Sequence, residues 1–187
     1  MEKNIIVCNK PCRIVRLIGH GKGGYSYLAE YEGRQTVLKQ IHHEKCDYYT
    51  FGNKILAEQN DYQRLKKAGI QIPEMLAIDI DAERIVKEYI DGSTIYELVK
   101  KGISVQPYIE QVRIMAEKAK AASLNIDYFP TNFVVQDGIL WYIDYECNEY
   151  TDEWNFENWG IKYWSRTKEF LAHEAGTPPV SSGNITI

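Results

Sequence analysis

No stretch of this sequence approaches the run of about 18 apolar residues that a membrane-spanning helix needs, so no membrane association is expected. The opening Met-Glu-Lys-Asn lacks the basic and apolar regions of a signal peptide. Cysteine is scarce and poorly spaced. Cys8 and Cys12 are separated by three residues, no second pair follows, and Cys46 and Cys147 stand alone, which fits neither a zinc ribbon nor a thioredoxin motif. These read as reduced thiols of a cytoplasmic protein, and the sequon at Asn184-Ile185-Thr186 reads as chance. Charge is not one-sided either. With 22 basic and 26 acidic residues the net charge is −4, which argues against a nucleic-acid partner. Internal repeats are absent. What remains is a 187-residue chain that is 44% hydrophobic, enough for a core in one domain or two small lobes sharing a cleft.

Residues 13–18 read as a short apolar strand that runs into Gly19-His20-Gly21-Lys22-Gly23-Gly24. From Tyr25 the pattern alternates through Tyr27, Ala29 and Tyr31 to a turn at Glu32-Gly33, and residues 36–41 form the next strand. The glycines therefore join two antiparallel strands. A dinucleotide fold would need a helix directly after them, so a flap of glycine amides covering phosphates is the better reading. Residues 53–68 predict a helix, with Asn53 as its cap, Lys66 and Lys67 in the last turn and Gly69 as its stop. Glu58 projects from the apolar stripe of Ile55, Tyr62 and Leu65, where a bare carboxylate costs several kcal/mol. Lys39, on the preceding strand, is its natural counter-ion.

Another strand is expected over 85–90, ended by Asp91-Gly92. Thr94 and Glu97 form a capping box that opens a short helix closed by Gly102. A longer helix is expected over 107–124, with Pro107 in its first turn and Ile109, Val112, Ala116 and Ala119 on one face. Two apolar runs, 133–135 and 139–143, flank Asp137-Gly138, a strong hairpin turn. That hairpin returns Asn132 and Asp144 to the same end. Asp127 lies five residues before Asn132, in a loop that Pro130 keeps from being helical. Each of the three has an ordinary structural role open to it, but together their oxygens suit a hard cation such as Mg²⁺. Trp154, Trp159, Tyr163 and Trp164 read as a helix packing the C-terminal half, and 177–187 as a loose tail.

Strand, glycine loop, strand, strand with lysine, helix with glutamate, hinge, Asp-x4-Asn, hairpin, Asp: in this order the chain resembles the protein-kinase-like fold, from about Arg13 to Gly160. The resemblance implies an α+β, two-lobed architecture. An N-terminal lobe (1–90) would hold an antiparallel sheet and one helix. A small, mainly helical catalytic lobe (91–176) and a flexible tail (177–187) would follow.

The resemblance also implies roles. Gly19, Gly21 and Gly24 would cover the phosphates, Lys39 would hold them with Glu58 as its partner, and Ile18 and Val37 would roof the adenine. Glu88, Tyr89 and Ile90 would form the hinge that meets the base. Asp127 would be the catalytic aspartate, with Asn132 and Asp144 as the metal ligands of ATP-bound Mg²⁺.

Departures from the pattern narrow the type. Asn125-Ile126-Asp127 stands for His-Arg-Asp, and Ser26 replaces a common roofing valine. Asp144-Tyr145-Glu146 stands for Asp-Phe-Gly, and its acidic third residue resembles aminoglycoside and choline kinases. Asp152-x-Trp154 follows Asp144 by only eight residues, which leaves no room for an activation segment. The stretch from Ala57-Glu58 to Pro73 resembles the small Bud32 and Rio atypical kinases. The implied activity is transfer of the ATP γ-phosphate to a hydroxyl, with a slight preference for protein Ser/Thr because little wall is left for a small acceptor. A small-molecule kinase, a non-catalytic nucleotide-binding scaffold and a partner-stimulated ATPase remain as alternatives.

Overall fold

The computed structural model describes residues 3–21, 23–44 and 53–176. Lys22, Cys46, the 177–187 segment and its sequon lie outside the described residues. The fold is α+β, the kinase-like two-lobed class, and separates into two compact units. One runs from the N-terminus to Asp91 and takes in Ile143–Glu146; the other comprises Gly92–Tyr142 and resumes at Cys147.

The first unit is built on six strands: β1 (Lys3–Val7), β2 (Lys10–His20), β3 (Gly24–Tyr31), β4 (Arg34–Ile41), β5 (Met75–Asp79) and β6 (Arg84–Glu88). They pair antiparallel throughout, in the order β1-β2-β3-β4-β6-β5. Alternation puts Leu38, Ala29, Tyr31, Val86, Val7 and Cys12 into one buried cluster. β2 is longer than the 13–18 strand expected and absorbs Gly19 and His20, so the turn proper begins at Gly21. The β1–β2 hairpin escaped notice because Cys8 and Asn9 make its turn in the left-handed region, at φ 49 and 64, without a glycine. Helix α1 (Lys54–Ala68) follows the expected signals closely. The Asn53 side chain accepts from the Leu56 N–H at 3.2 Å, and Gly69 ends the helix at φ 73. Ile55, Tyr62 and Leu65 are its buried residues beside Lys54.

The second unit holds β7 (Ser93–Thr94), α2 (Ile95–Lys100), α3 (Gln106–Ala121), β8 (Leu124–Ile126), β9 (Phe133–Gln136), β10 (Ile139–Tyr142), β11 (Cys147–Glu149) and α4 (Lys168–Glu174). Its strands form two small sheets, β10-β9-β7 and β11-β8. The Thr94–Glu97 capping box is complete, and Asp137 and Gly138 turn the β9–β10 hairpin at φ 51 and 78. α3 stops at Ala121, short of the expected 124, because Ser123 takes φ 59 and Leu124 is drawn into β8. The helix expected around Trp154–Trp164 is replaced by turns and one 3-10 turn, Gly160–Tyr163. There the Asn155 side chain accepts from the Asn158 N–H at 2.8 Å, and the Asn158 amide donates to the Asp152 carbonyl at 2.7 Å. Such local bonds hold the backbone in turns at the expense of a helix. Pro130 opens a 3-10 turn, Pro130–Asn132, and β9 begins directly after it at Phe133. Among the described residues no helix is long and apolar enough to cross a membrane.

The register of β3 on β4 makes a glycine obligatory at one loop position. A Cβ on Gly24 would lie 2.4 Å from the Gln40 carbonyl oxygen, whereas one on Gly21 would meet nothing within 4 Å. Gly24→Ala should therefore cost about 1–3 kcal/mol in urea unfolding, and Gly21→Ala should stay within about 0.5 kcal/mol of wild type. Equal effects would contradict this reading of the loop.

Candidate functional site

Four charged side chains of the first unit converge beneath its sheet. Lys39 leaves β4 on the same face as Val37, and the pairing Val37↔Lys87 and Lys39↔Ile85 sets Lys87 of β6 on that face as well. Glu58, one turn into α1, forms a hydrogen-bonded ion pair with Lys39. Asp144 completes the group from the 143–146 segment. That segment is tied to the first unit by Tyr145, whose hydroxyl donates to the Pro73 carbonyl at 2.8 Å and whose ring lies 4.9 Å from that of Tyr62.

The balance of burial against charge can be followed group by group. Burial disfavours the Lys39 ammonium, but Glu58, Asp144 and Glu146 outweigh it and hold its pKa above the ordinary lysine value. Burial likewise disfavours the Asp144 carboxylate. Lys39, Lys87 and the backbone N–H groups of Tyr145 and Glu146 overcome that and hold its pKa below 3.8. Lys87 goes the other way. Its burial is not recovered by Asp144, and Lys39 adds repulsion, so its pKa is lowered. The ammonium donates to the Ile143 carbonyl at 2.5 Å and sits 4.7 Å from the centre of the Tyr145 ring.

Directly above the ion pair lies Gly23. A Cβ there would be 3.3 Å from Lys39 Nζ and 3.6 Å from Glu58 Oε1. Gly23 and Lys87 were absent from the expected site. Gly23 belongs to the glycine run, but the motif spacing favoured its neighbours. Lys87 was signalled only by its parity with Ile85 on the inward face. At the hinge, the Glu88 N–H already donates to the Glu74 carbonyl at 2.9 Å, and the Glu88 carboxylate accepts from the Glu74 N–H at 3.2 Å. Tyr89 and Ile90 lie past the end of β6, with Ile90 buried, while Ile18 is exposed and Val37 buried. Gly19 lies within β2, where a Cβ would make only ordinary contact with Ser26.

The second unit gathers Asp127 and Asn132. Asp127 follows β8, its N–H donating to the Tyr142 hydroxyl at 3.2 Å and its carboxylate accepting from the Phe129 N–H at 3.0 Å. The Asn132 amide donates to the Asp127 carbonyl at 3.3 Å, which leaves its side-chain oxygen available. Trp164, buried against Phe133 and Phe156, donates its indole N–H to the Tyr128 carbonyl at 2.8 Å. The C-terminal aromatic cluster thus fixes the backbone beside Asp127. Asn125, buried in β8, donates to the Thr151 carbonyl at 2.8 Å.

No protein-family model matches the sequence. Two known proteins are similar to it. The KEOPS complex subunit Bud32 of Pyrococcus abyssi is 22% identical over 194 residues, covering 92% of this chain and 86% of that protein. The EKC/KEOPS complex subunit bud32 of Dictyostelium discoideum is 27% identical over 159 residues, covering 82% of this chain and 61% of that protein. The chain is therefore a distant relative of Bud32 subunits.

The depressed Asp144 pKa makes the cluster sensitive to acid. An acid whose folded pKa is lowered contributes stability above its unfolded value and loses it as pH falls through the folded one. Asp144→Asn should be roughly 3 kcal/mol less stable than wild type near pH 7, and the gap should close as pH drops below 3.8. Urea unfolding across that range reads it out. A gap that is constant with pH would show that the Asp144 charge does not bind the cluster together.

Proposed function

We propose that this chain is an atypical kinase-like protein that binds MgATP and transfers the γ-phosphate to a hydroxyl, with a protein Ser/Thr acceptor slightly favoured over a small molecule. The observation that carries this reading is the Lys39–Glu58 pair with Asp144 beside it, under a glycine of the turn that approaches the ammonium closely. Such a group suits a polyphosphate: a fixed cation, an acidic partner that orients it, and backbone of the glycine turn close by. The donor set also fits a hard cation, since Asp144 and Asn132 each offer oxygen. Mg²⁺, when bound, supplies charge neutralisation on the phosphates.

The chain's own residues do the rest. Lys39 holds the α- and β-phosphates, and Glu58 keeps its ammonium from turning away. Gly21 and Gly24 cover the phosphates, with Gly19 leading into the turn and the Gly21 N–H donating to the Gly24 carbonyl at 3.0 Å. Ile18 and Val37 roof the adenine, and the base meets Tyr89 and Ile90, the Glu88 N–H being committed to Glu74. Asn132 and Asp144 would each offer an oxygen to the metal. Asp127 orients the acceptor and takes its proton as the acceptor oxygen bonds to the γ-phosphorus. The bond to the β-phosphate oxygen breaks, and ADP leaves.

A second reading has specific support. Both relatives are named as subunits of a complex, which favours a protein partner and an ATPase cycle stimulated by it. Phosphate release that rises with the partner, without any phosphorylated product, would select this reading over transfer.

Asp127→Ala should reduce transfer of labelled γ-phosphate about 10²–10⁴-fold while leaving the MgATP-induced thermal shift in place. Lys39→Ala should diminish both. Full phosphotransfer by a purified, folded Asp127→Ala protein would remove the catalytic assignment.

A further inference from the structure

A second convergence of side chains, made of residues outside the Lys39 cluster, lies beside the glycine turn that joins β2 to β3. β2 ends at His20, which pairs across the hairpin with Tyr25, and Tyr25 in turn pairs with Gln40, two residues before His42. This register brings His20, His42 and Glu44 together, with one nitrogen or oxygen from each lying within 4.8 Å of the others. Among the described residues it is the one group of three that meets this condition.

The arrangement has the parts of a metal site. Tyr25 donates its hydroxyl to Glu44 Oε1 at 2.5 Å and stacks its ring on His20, with centroids 4.3 Å apart. Glu44 Oε2 is left facing the imidazoles, 3.4 Å from His20 Nε2 and 4.0 Å from His42 Nε2. Tetrahedral zinc with nitrogen and oxygen ligands at about 2.0–2.2 Å sets neighbouring donors roughly 3.4 Å apart, so only a small closure is needed. Lys54 holds the His42 carbonyl at 2.6 Å and so fixes the start of the ligand-bearing segment. Two imidazoles and one carboxylate select a borderline transition metal over Mg²⁺ or Ca²⁺, which prefer all-oxygen sites.

We propose that His20, His42 and Glu44 bind one divalent transition-metal ion of the zinc class, held in place by the Tyr25 hydroxyl on Glu44. Binding carries a consequence for the glycine turn. His42 Nδ1 accepts from the Glu44 N–H at 3.3 Å, and His42 Nε2 faces the Gly21 carbonyl at 3.0 Å. A carbonyl only accepts, so the metal-free ring carries its proton on Nε2. Ligation through Nε2 needs that lone pair and moves the proton to Nδ1, which then gives up the bond from the Glu44 N–H. The metal and the Gly21 bond are therefore alternatives, and occupancy releases the turn from His42.

The test is zinc titration of the full chain without nucleotide, in competition with a chromogenic chelator, so that its result is independent of phosphotransfer. One equivalent should bind, and Mg²⁺ in excess should not displace it. Tyr25→Phe should weaken binding about tenfold, and His20→Ala and Glu44→Gln should weaken it further, with circular dichroism showing an unchanged fold. Co²⁺ should give the visible bands of a nitrogen and oxygen site, and ¹⁵N spectra should show the His42 proton moving to Nδ1 with zinc. Stoichiometric binding that survives His20→Ala and Glu44→Gln, or a cobalt–thiolate charge-transfer band, would overturn the proposal.

Discussion

An ammonium and a carboxylate beneath a sheet cost more than they return unless each has its opposite charge at hand. The first unit of this protein is arranged around that requirement. Lys39 reaches in from β4, Glu58 answers it from α1, and Asp144 arrives on a segment more than fifty residues past the last strand of the sheet. Lys87 adds a second cation, whose burial, with the Lys39 charge beside it, holds its pKa below the ordinary lysine value. This cluster accounts for why Ile143–Glu146 belongs with the sheet even though its neighbours on both sides belong to the other unit. Tyr145 makes the attachment, with its ring in the core and its hydroxyl on the Pro73 carbonyl.

The second unit achieves its local order by different means. The Asn132 side-chain amide joins the Asp127 backbone carbonyl, and the surrounding loop is fixed by Tyr142 and by the Trp164 bond to Tyr128. The aromatic residues near the C-terminal end thus act at a distance in sequence on the geometry of an aspartate loop. Their buried rings supply the rigidity that a 3-10 turn and a short strand lack on their own.

Much of this was legible in the sequence where a local signal has a single structural meaning. Asn53, Gly69, the Thr94–Glu97 box and Asp137-Gly138 each specify their feature through backbone hydrogen bonds or a left-handed turn. The glycine run was assigned between strands because Tyr25, Tyr27 and Ala29 alternate. Features that depend on tertiary pairing were hidden. β1 and β5 have five residues each and gain strand geometry from their neighbours, and β8 takes Leu124 from what reads as a helix end. The Trp154–Trp164 stretch has apolar spacing that fits a helix, but asparagine side chains capture its backbone. A lysine in a strand ordinarily faces water, and only the cross-strand register puts Lys87 on the face of Lys39. The place of Gly23 is hidden in the motif spacing because it depends on the close approach of the turn to the Lys39–Glu58 pair.

The central proposal is that Lys39, Asp144, Asp127 and Asn132 would all serve one metal-bound nucleotide. Mn²⁺ in place of Mg²⁺ makes that nucleotide a relaxation probe. In ¹H–¹⁵N spectra of the full chain, MnATP should broaden the amides of Asp144, Asn132 and the glycine turn together and at one affinity, while MnATP with Asp144→Asn should leave them sharp. Broadening confined to His20, His42 and Glu44, or absent from Asp144 and Asn132 at saturating nucleotide, would contradict the account.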